Sequence, residues 1–512
     1  MRYSHFQSAQ MMQFFTRFRF VIPYLLGAFT VLAFAPFYFF PISILSLVGI
    51  IYLWFKTDSA KSAFKLGFQY GLGLYVVGIY WIYISLHDFG GMPWWFAGFS
   101  TFCLCAFMAL FVGAVGYLSK RLGFLMISAP ILWGLSDWVR SWIFTGFPWL
   151  TLGYSQVPHS PLAGYMPIFG VYGVSVITVL VAAIIACWLA QANFSAICKR
   201  NAVASLVLIL VAGGLLKAVE WTTPTNEPIS TALIQGNIAQ DTKWSADTAQ
   251  NTINTYINMV KQSTAQLIVL PETALPVISS RLDASITDTL SNHAKQNNGD
   301  IIVGMVELNE KTDEYFNSAF SFGRSPTQSY AKNHLVPFGE FIPLKQVFGW
   351  IYRDWLSMPL SDLSRGGAYQ TPMQLGNQKV AVNVCYEDVF GEEIIRQLPA
   401  ATLLVNISND AWYGQSYAAD QHMQFSQARA LETGRMMLRA TNTGATSAID
   451  VHGYVIAHAP HDVQTTLNVV AQGYAGSTPY VRWGNWPFIV LCFAALVVIA
   501  WIKQSRKTSF VR

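Results

Sequence analysis

Charged residues are scarce in this chain. Asp, Glu, Lys and Arg make up 12% of its 512 residues and hydrophobic residues 53%, whereas soluble domains carry about 25% charged residues. This composition excludes an ordinary soluble enzyme and indicates a membrane protein with a substantial soluble part. The net charge is only +5, and no basic run has interleaved aromatic residues, so nothing indicates nucleic-acid binding.

Cysteine is rare where the chain is polar. Of the six cysteines, only Cys385 lies in the polar block at 220–485, and the others lie in or beside apolar segments. A disulfide within that block is therefore excluded. No metal-binding spacing of Cys and His is present. His458 and His461 stand close together but make a weak ligand pair, so we expect no cofactor and no metal.

Long apolar segments, by contrast, are frequent. A membrane span needs about 20 mostly apolar residues, and we expect eight spans, at 20–37, 40–55, 66–86, 94–117, 123–142, 167–191, 202–217 and 486–502, of which the second and seventh are short. The first lacks a small-residue cleavage site, so it is not a cleaved signal peptide. We predict a seven-span bundle at 1–219, an extracytoplasmic domain at 220–485, and a C-terminal span with a cytoplasmic tail at 486–512.

Basic residues mark alternate connections between these segments. They are Arg17, Arg19, Lys56, Lys61, Lys65, Lys120, Arg121, Lys199, Arg200, Lys503, Arg506 and Lys507. Cytoplasmic loops are enriched in Lys and Arg. Both termini are therefore expected in the cytoplasm, and the 220–485 block on the periplasmic side of a bacterial inner membrane.

The connection at 143–166 is apolar, aromatic and broken by Pro and Gly. Such a segment suits the bilayer interface, where Trp and Tyr concentrate. Two interpretations remain open, an aromatic belt loop or part of a lipid-facing entrance to a site above it. Asp137 and Arg140, three residues apart near a span end, are expected to form a structural pair.

Between 229 and 450, short β-rich runs alternate with longer helical stretches. The predicted strands lie at 230–235, 266–270, 300–306, 317–323, 379–385 and 402–407, and the predicted helices at 246–263, 280–296 and 418–432. This alternation predicts an α/β layered domain. In such domains, chemistry-bearing residues usually follow the carboxyl ends of strands.

Three residues with complementary chemistry lie at or after the ends of predicted strands. They are Glu272, Lys332 and Cys385. A free thiol is only a few per cent thiolate at neutral pH, so a carboxylate can take its proton and a lysine can stabilise a developing oxyanion. Singly, each residue has a plainer interpretation. The cysteine can be a small core hydrophobe, the glutamate a helix-cap neighbour, and the lysine a surface charge.

At these residues the chain resembles the nitrilase superfamily. Fusion of such a domain to membrane spans narrows the resemblance to the bacterial apolipoprotein N-acyltransferases. The matching stretches are 235–238 with Lys243-Trp244, Pro271-Glu272-Thr273, 332–340, Val384-Cys385-Tyr386-Glu387, 409–413, Phe147-Pro148-Trp149 and 170–173. The resemblance implies a membrane α-helical bundle of about eight spans plus an α/β nitrilase-like domain with an α-β-β-α sandwich fold.

The resemblance also implies a role for each site residue. Glu272 would be the general base, Lys332 the oxyanion stabiliser and Cys385 the nucleophile. The supporting residues would be Glu340, Glu387 and Tyr386, and the substrate-binding residues would be Trp244, Trp412 and Trp149. Structural hydrogen bonding for the acidic residues and simple packing for the tryptophans remain open alternatives.

The implied reaction runs in two steps and needs no cofactor. Cys385 takes an acyl chain from a membrane phospholipid, typically phosphatidylethanolamine, as a thioester. The N-terminal amine of a diacylglyceryl-cysteine apolipoprotein then takes that chain and completes lipoprotein maturation. A monomer is expected.

Two other function classes are weighed. A membrane-tethered nitrilase-type amidohydrolase would use the same triad on a small C–N substrate, but such a substrate needs no membrane spans. A transporter or scaffold with a degenerate enzyme domain is disfavoured by the intact triad and by the few ionisable residues deep in the apolar segments.

Overall fold

The computed structural model describes residues 20–191, 195–240, 243, 246–346, 349 and 362–509. Three residues singled out above, Arg17, Arg19 and Trp244, lie outside the described residues. The described chain begins as a helical bundle, continues as a two-sheet domain, and ends in a long helix that returns to the bundle.

The bundle is built from long apolar helices that share one core. They are Ile22–Thr30, Pro41–Lys56, Ala60–Gly78, Trp94–Leu122, Leu125–Arg140, Met166–Ala190, Ala196–Lys217 and, at the C-terminal end, Trp486–Ser509. Small residues allow close helix contacts. A β-carbon at Gly27 would lie 1.9 Å from the carbonyl oxygen of Tyr70, so only glycine lets these two helices touch there.

Fewer helices than predicted have the length and composition of a membrane span. In the described ranges there are four, Trp94–Leu122, Pro161–Ala190, Ala196–Lys217 and Trp486–Arg506, and a fifth if the pair Ala60–Gly78 and Ile82–Phe89, bent by 57°, is one span. The prediction of about eight spans is therefore too high by this measure. The remaining apolar segments fold into shorter helices, such as Ile22–Ala33 and Pro41–Lys56, and Leu125–Arg140 has only 16 residues.

Twelve strands, counted over the described residues, form two six-stranded sheets. Their order is β12-β1-β2-β3-β4-β5 in one sheet and β11-β10-β9-β8-β7-β6 in the other. Their bounds are β1 Thr222–Gln235, β2 Leu267–Val269, β3 Asp300–Asn309, β4 Glu314–Gly323, β5 Ser329–Ala331, β6 Met373–Leu375, β7 Gln378–Val384, β8 Leu403–Ser408, β9 Met437–Thr441, β10 Ser447–Ile449, β11 Val455–His458 and β12 Thr465–Gly476. The strands β1–β3 and β7–β9 are parallel within their sheets.

The two sheets pack face to face between two helical layers. The central strands are buried on both faces, as parallel strands require, and Val269 of β2 and Val405 of β8 share the core between the sheets. Helices Ala246–Gln262 and Ala284–Gln296 cover the first sheet, and helix Ala418–Thr433 covers the second. The predicted α-β-β-α sandwich is confirmed.

Helix Ala418–Thr433 is buried along its whole length because it also packs against the bundle. Its polar side chains bind backbone groups where bundle helices end or break. Nε2 of Gln421 donates to the carbonyl of Gly78 at 3.2 Å, and Oε1 of Gln424 accepts from the backbone N–H of Ala35 at 3.1 Å. The two parts of the chain are therefore joined through hydrogen bonds as well as apolar contact.

Candidate active site

Strand ends from both sheets bring the predicted triad together. Glu272 lies just beyond β2, Lys332 directly follows β5, and Cys385 directly follows β7. Their exposed fractions are 7%, 1% and 6%, respectively. All three side chains line one cavity. The site therefore forms only when both sheets are in place.

Lys332 is the centre of a buried ion cluster. Its Nζ atom lies 2.8 Å from Oε2 of Glu340 and 3.6 Å from Oε1 of Glu272. Nδ2 of Asn317 donates to both carboxylates, at 2.6 Å to Glu272 and 2.9 Å to Glu340. Burial alone would lower the pKa of Lys332, but the charges of Glu340 and Glu272 raise it above its ordinary value. The lysine therefore stays protonated and positively charged in this cavity.

The thiol of Cys385 carries its proton at rest. Burial raises its pKa well above the ordinary value and the charge of Glu272 raises it further, while Lys332 lowers it. The backbone of Cys385 has a φ of +54°, in the left-handed region that a residue with a β-carbon disfavours. Nucleophilic attack from this site therefore needs a base, and the surrounding structure must hold the backbone of Cys385.

Glu387 joins the two loops of the site. Its Oε1 atom accepts from the backbone N–H groups of Asn333 and His334, at 2.7 and 3.1 Å. Its Oε2 atom accepts from the backbone N–H of Val384 at 2.8 Å. Burial raises the pKa of Glu387 to about 7. These bonds tie the loop after β5 to the end of β7.

Tyr386 and two of the predicted tryptophans lie where the domain meets the bundle. Tyr386 donates to the carbonyl oxygen of Gly146 at 3.0 Å, and its ring stacks on that of Trp149, with centroids 6.4 Å apart. Trp149 is buried, and its Nε1 donates to Oε1 of Gln421 at 2.7 Å. Trp412 is half-buried. Tyr386, Trp149 and Trp412 all line the cavity of the triad.

That cavity has a volume of about 680 Å³, within the usual range of about 300–1,000 Å³ for small-ligand sites. Its domain side carries the charged triad. Its bundle side is mainly apolar and aromatic and includes Phe96, Phe99, Cys103, Leu104, Phe107, Met108, Ile143 and Phe147. An apolar chamber that ends at a thiol has the chemistry to hold a hydrocarbon chain with its carbonyl group at the sulfur.

Sequence reasoning missed several polar residues of the site. Asn317, which joins Glu272 to Glu340, falls in a predicted strand with no local signal for its role. Lys243 is fully buried, donates to Oγ1 of Thr273 at 2.8 Å, and has a pKa lowered to about 8 by burial. The only indication of Lys243 in the sequence was that it lies in one of the stretches that resemble the family. A buried ion network beneath Cys385 was also missed.

Among the described residues, one group of Asp and His side chains could hold a metal ion. The candidate ligand atoms of Asp420, His458 and His461 lie within 4.8 Å of one another. Oδ1 of Asp420 lies 3.3 Å from Nε2 of His461, which makes an ion pair if the histidine is protonated. None of the three lines the cavity of Cys385.

Comparison with known proteins gives two family matches along the chain. Residues 26–184 match the model of the apolipoprotein N-acyltransferase N-terminal domain, and residues 230–480 match that of carbon-nitrogen hydrolases. The sandwich with its Glu, Lys and Cys at strand ends thus defines the class, a carbon-nitrogen hydrolase domain carried by a helical bundle.

Full-length relatives then give the family. An apolipoprotein N-acyltransferase of Nitrosomonas europaea is 46% identical over 490 residues, which cover 94% of this chain and 97% of the relative. Another, of Chromobacterium violaceum, is 42% identical and covers 94% of this chain and 93% of the relative. The chain belongs to the apolipoprotein N-acyltransferase family, and it is an acyltransferase and a membrane protein.

Solved structures of isolated domains resemble the sandwich only distantly. Nit3 of Saccharomyces cerevisiae, a member of branch 10 of the nitrilase superfamily, is 16% identical, has a TM-score of 0.38, and covers 49% of this chain and 93% of its own. The family assignment depends on the full-length relatives.

Proposed function

We propose that this enzyme moves a fatty acyl chain from a membrane phospholipid to the N-terminal amine of a diacylglyceryl-cysteine apolipoprotein, through a thioester on Cys385. The main observation in support of this function is that Glu272, Lys332 and Cys385 line one cavity whose bundle side is mainly apolar and aromatic. Exposing an acyl chain to water costs about 0.8 kcal/mol per CH₂ group, and a thiol at the end of an apolar chamber avoids that cost.

In the first step, Glu272 takes the thiol proton and the sulfur of Cys385 attacks the ester carbonyl of the phospholipid. A C–S bond forms, and the ammonium of Lys332 stabilises the oxyanion. When the carbonyl re-forms, the C–O bond breaks. The departing lysophospholipid alkoxide takes the proton from Glu272. The raised pKa of the thiol supports this order, because a resting thiolate is not available.

In the second step, the α-amino group of the lipoprotein attacks the thioester carbonyl. Glu272 accepts a proton from that amine while Lys332 again stabilises the oxyanion. The C–S bond then breaks, the sulfur of Cys385 takes the proton from Glu272, and an amide remains on the lipoprotein. One nucleophile thus serves two lipid substrates in turn, in a ping-pong sequence.

For the other predicted residues we propose roles around this chemistry. Between turnovers, the carboxylate of Glu340 forms an ion pair with the ammonium of Lys332. Glu387 joins the loop after β5 to the end of β7. Tyr386, Trp149 and Trp412 form the aromatic wall of the acyl chamber. We retain Trp244 as a substrate-binding residue from the family resemblance alone.

We further propose that both termini are cytoplasmic and that the sandwich faces the periplasm. Basic residues meet at one end of the bundle, which supports this orientation. Nζ of Lys56 donates to the carbonyl of Ala190 at 2.8 Å, and Nζ of Lys503 donates to that of Arg121. Nζ of Lys120 joins the two groups, since it donates to the carbonyl of Trp54 at 3.2 Å. We propose domains at 1–219, 220–485 and 486–512, and a monomeric enzyme.

A product assay tests the proposal. Purified enzyme is mixed with phosphatidylethanolamine vesicles and a synthetic peptide bearing an N-terminal diacylglyceryl-cysteine. We expect the peptide mass to rise by one acyl group, with an equal amount of lysophospholipid released. The Cys385→Ser variant should give neither product.

A matched control for that variant is Cys103→Ser, because Cys103 lines the bundle side of the same cavity. It should transfer the acyl chain at the wild-type rate. Acylated peptide from the Cys385→Ser enzyme would show that the proposed covalent route is wrong. Transfer to peptides without the diacylglyceryl group, at the same rate, would exclude the proposed acceptor class.

A further inference from the structure

A closed network of four buried charged side chains lies directly beneath the nucleophile. Asp388 and Asp410 are its acids, and His422 and Arg439 are its cations. His422 lies 2.9 Å from Oδ1 of Asp388 through Nε2 and 2.8 Å from Oδ1 of Asp410 through Nδ1. Arg439 lies 3.0 Å from Oδ2 of Asp388 and 2.8 Å from Oδ2 of Asp410. The four side chains are at most 1% exposed.

The charges of this network balance only when the imidazole of His422 is protonated. Burial and Arg439 lower the pKa of His422, but Asp388 and Asp410 outweigh them and raise it to about 9. Both ring nitrogens are then donors. A neutral imidazole would leave one buried carboxylate charge without compensation, which is costly.

One donor of the network reaches the nucleophile's own backbone. Nε2 of His422 lies 3.1 Å from the carbonyl oxygen of Cys385, and Nδ2 of Asn406 donates to the same oxygen at 3.0 Å. Asn406 is held in turn by Arg439, whose Nη1 donates to its Oδ1 at 2.9 Å. Two donors therefore hold the carbonyl of a residue whose φ is +54°.

Neither donor touches the acyl chamber. None of Asp388, Asn406, Asp410, His422 and Arg439 lines the cavity that contains the triad. These residues therefore act on the chemistry without touching the chamber, through the backbone of Cys385 and through the charges of Asp410 and Arg439, which also act on its thiol. Small displacements at a reacting atom are costly, since about 1 Å can slow a reaction about 100-fold.

We propose that His422 and Asn406 are positioning residues for the nucleophile, which hold the left-handed backbone of Cys385 through its carbonyl oxygen. Asp388, Asp410 and Arg439 keep the imidazole and the amide aimed at that oxygen. This inference rests on the proposed thioester chemistry at Cys385. It assigns no contact with substrate to the network.

The test compares two substitutions of one histidine in the full-length enzyme. Gln can place a donor near the position of Nε2, whereas Asn reaches only the position of Nδ1. The measurement is acyl-enzyme formation from phosphatidylethanolamine in a single turnover, followed by intact mass. Its rate constant reports the chemistry, and its amplitude reports the fraction of folded enzyme.

We expect the rate constant of His422→Asn to be about 100-fold lower than that of wild type. The phospholipid concentration that gives half of the maximal rate should not change. His422→Gln should stay within about tenfold of wild type, which would show rescue by the Nε2-like donor. The control is Gln427→Leu on the same helix, which loses bonds to Oη of Tyr38 and to the carbonyl of Gly453. It should lower thermal stability and leave the rate constant unchanged.

Equal rate constants for His422→Asn and wild type would overturn the inference and leave the network a structural feature. If His422→Asn does not fold, Asn406→Ser is tested instead, because it removes the second donor without a change of charge. It should slow the rate at least about tenfold, and an unchanged rate would overturn the inference. Alkylation of Cys385 by iodoacetamide gives a second rate that needs no phospholipid. Slower alkylation in His422→Asn than in wild type would support the positioning role, and an unchanged alkylation rate would overturn it. This comparison holds even if wild type forms no acyl-enzyme and the proposed function is wrong.

Discussion

Nε1 of Trp149, in the bundle, donates a hydrogen bond to Oε1 of Gln421, in the sandwich, at 2.7 Å. The same oxygen accepts from Nε1 of Trp81 at 3.2 Å. Gln421 directly precedes His422 in the sequence, so one helix supports both the aromatic wall of the chamber and the backbone of the nucleophile. The boundary between bundle and sandwich is therefore part of the site.

Substitutions of Trp149 separate its hydrogen bond from its ring. Trp149→Phe removes the donor and should cost about 1 kcal/mol of stability, whereas Trp149→Ala also opens a cavity and should cost about 3–5 kcal/mol. Thermal unfolding in detergent measures both. We expect Trp149→Phe to keep acyl-enzyme formation within a few-fold of wild type. Equal losses in the two variants would mean that the bond, rather than the ring, is what matters.

Removal of the Lys332 charge should slow the chemistry more than it weakens lipid binding. Lys332→Met keeps the aliphatic stem but leaves Glu340 and Glu272 without their shared cation. We expect thioester formation to fall about 100- to 1,000-fold, as for loss of an oxyanion stabiliser, with KM for phospholipid little changed. The control is Lys379→Met, at the one exposed residue of β7, which should match wild type. An equal loss in rate and in binding would point to a structural lysine.

The pH dependence of stability should carry a contribution from His422. Its pKa is raised from 6.5 to about 9 in the folded protein by Asp388 and Asp410, against the opposing effects of burial and Arg439. The folded state therefore binds the proton more tightly than the unfolded state. The contribution, about 3 kcal/mol from that shift, is complete below pH 6.5 and is lost as the pH rises through about 9.

Melting temperatures of wild type and His422→Gln, measured from pH 6 to pH 10, test whether the stabilising contribution of His422 falls as the pH rises. The advantage of wild type should be largest at the acidic end and shrink toward pH 9 and above. Since Glu387 titrates in both proteins, its contribution largely cancels in the difference. An advantage that grows with pH would mean that the imidazole is neutral in the folded state.

The sandwich should not work when cut from the bundle. Helix Ala418–Thr433 would then expose Phe425 and Leu431, which share the bundle core, and Glu432 would lose its 2.8 Å bond from the backbone N–H of Val171. We expect residues 220–485 alone to aggregate and to form no acyl-enzyme. A soluble, monomeric fragment that hydrolyses small amides would instead favour the amidohydrolase interpretation.

Local patterns predicted the parts of the fold that depend on local physics. The predicted strand 300–306 lies within β3, Asp300–Asn309, and the predicted helix 418–432 is Ala418–Thr433. Apolar runs with polar ends also indicated that Glu272, Lys332 and Cys385 lie at or just after strand ends, but their roles came from the family resemblance. The strands β9–β12 were not predicted. Of these, β12 pairs antiparallel with β1 across a long stretch of chain, which no local window shows.

The bundle and the buried polar groups were less predictable for a physical reason. Hydropathy does not show where an apolar helix breaks, as at Gly170, whose φ of +64° interrupts Met166–Ala190. Polar residues such as His422 look ordinary in a helix until their partners, far away in sequence, surround them. Long-range charge compensation decides their environment.

Intact-mass analysis of the enzyme after incubation with phosphatidylethanolamine alone tests the central claim most directly. We predict that wild type gains the mass of one acyl chain, mapped to Cys385, and that Cys385→Ala gains none although Cys103 remains in the same cavity. An acyl group on Cys103 or another cysteine, or an unmodified wild-type enzyme under conditions in which it forms product, would contradict the account.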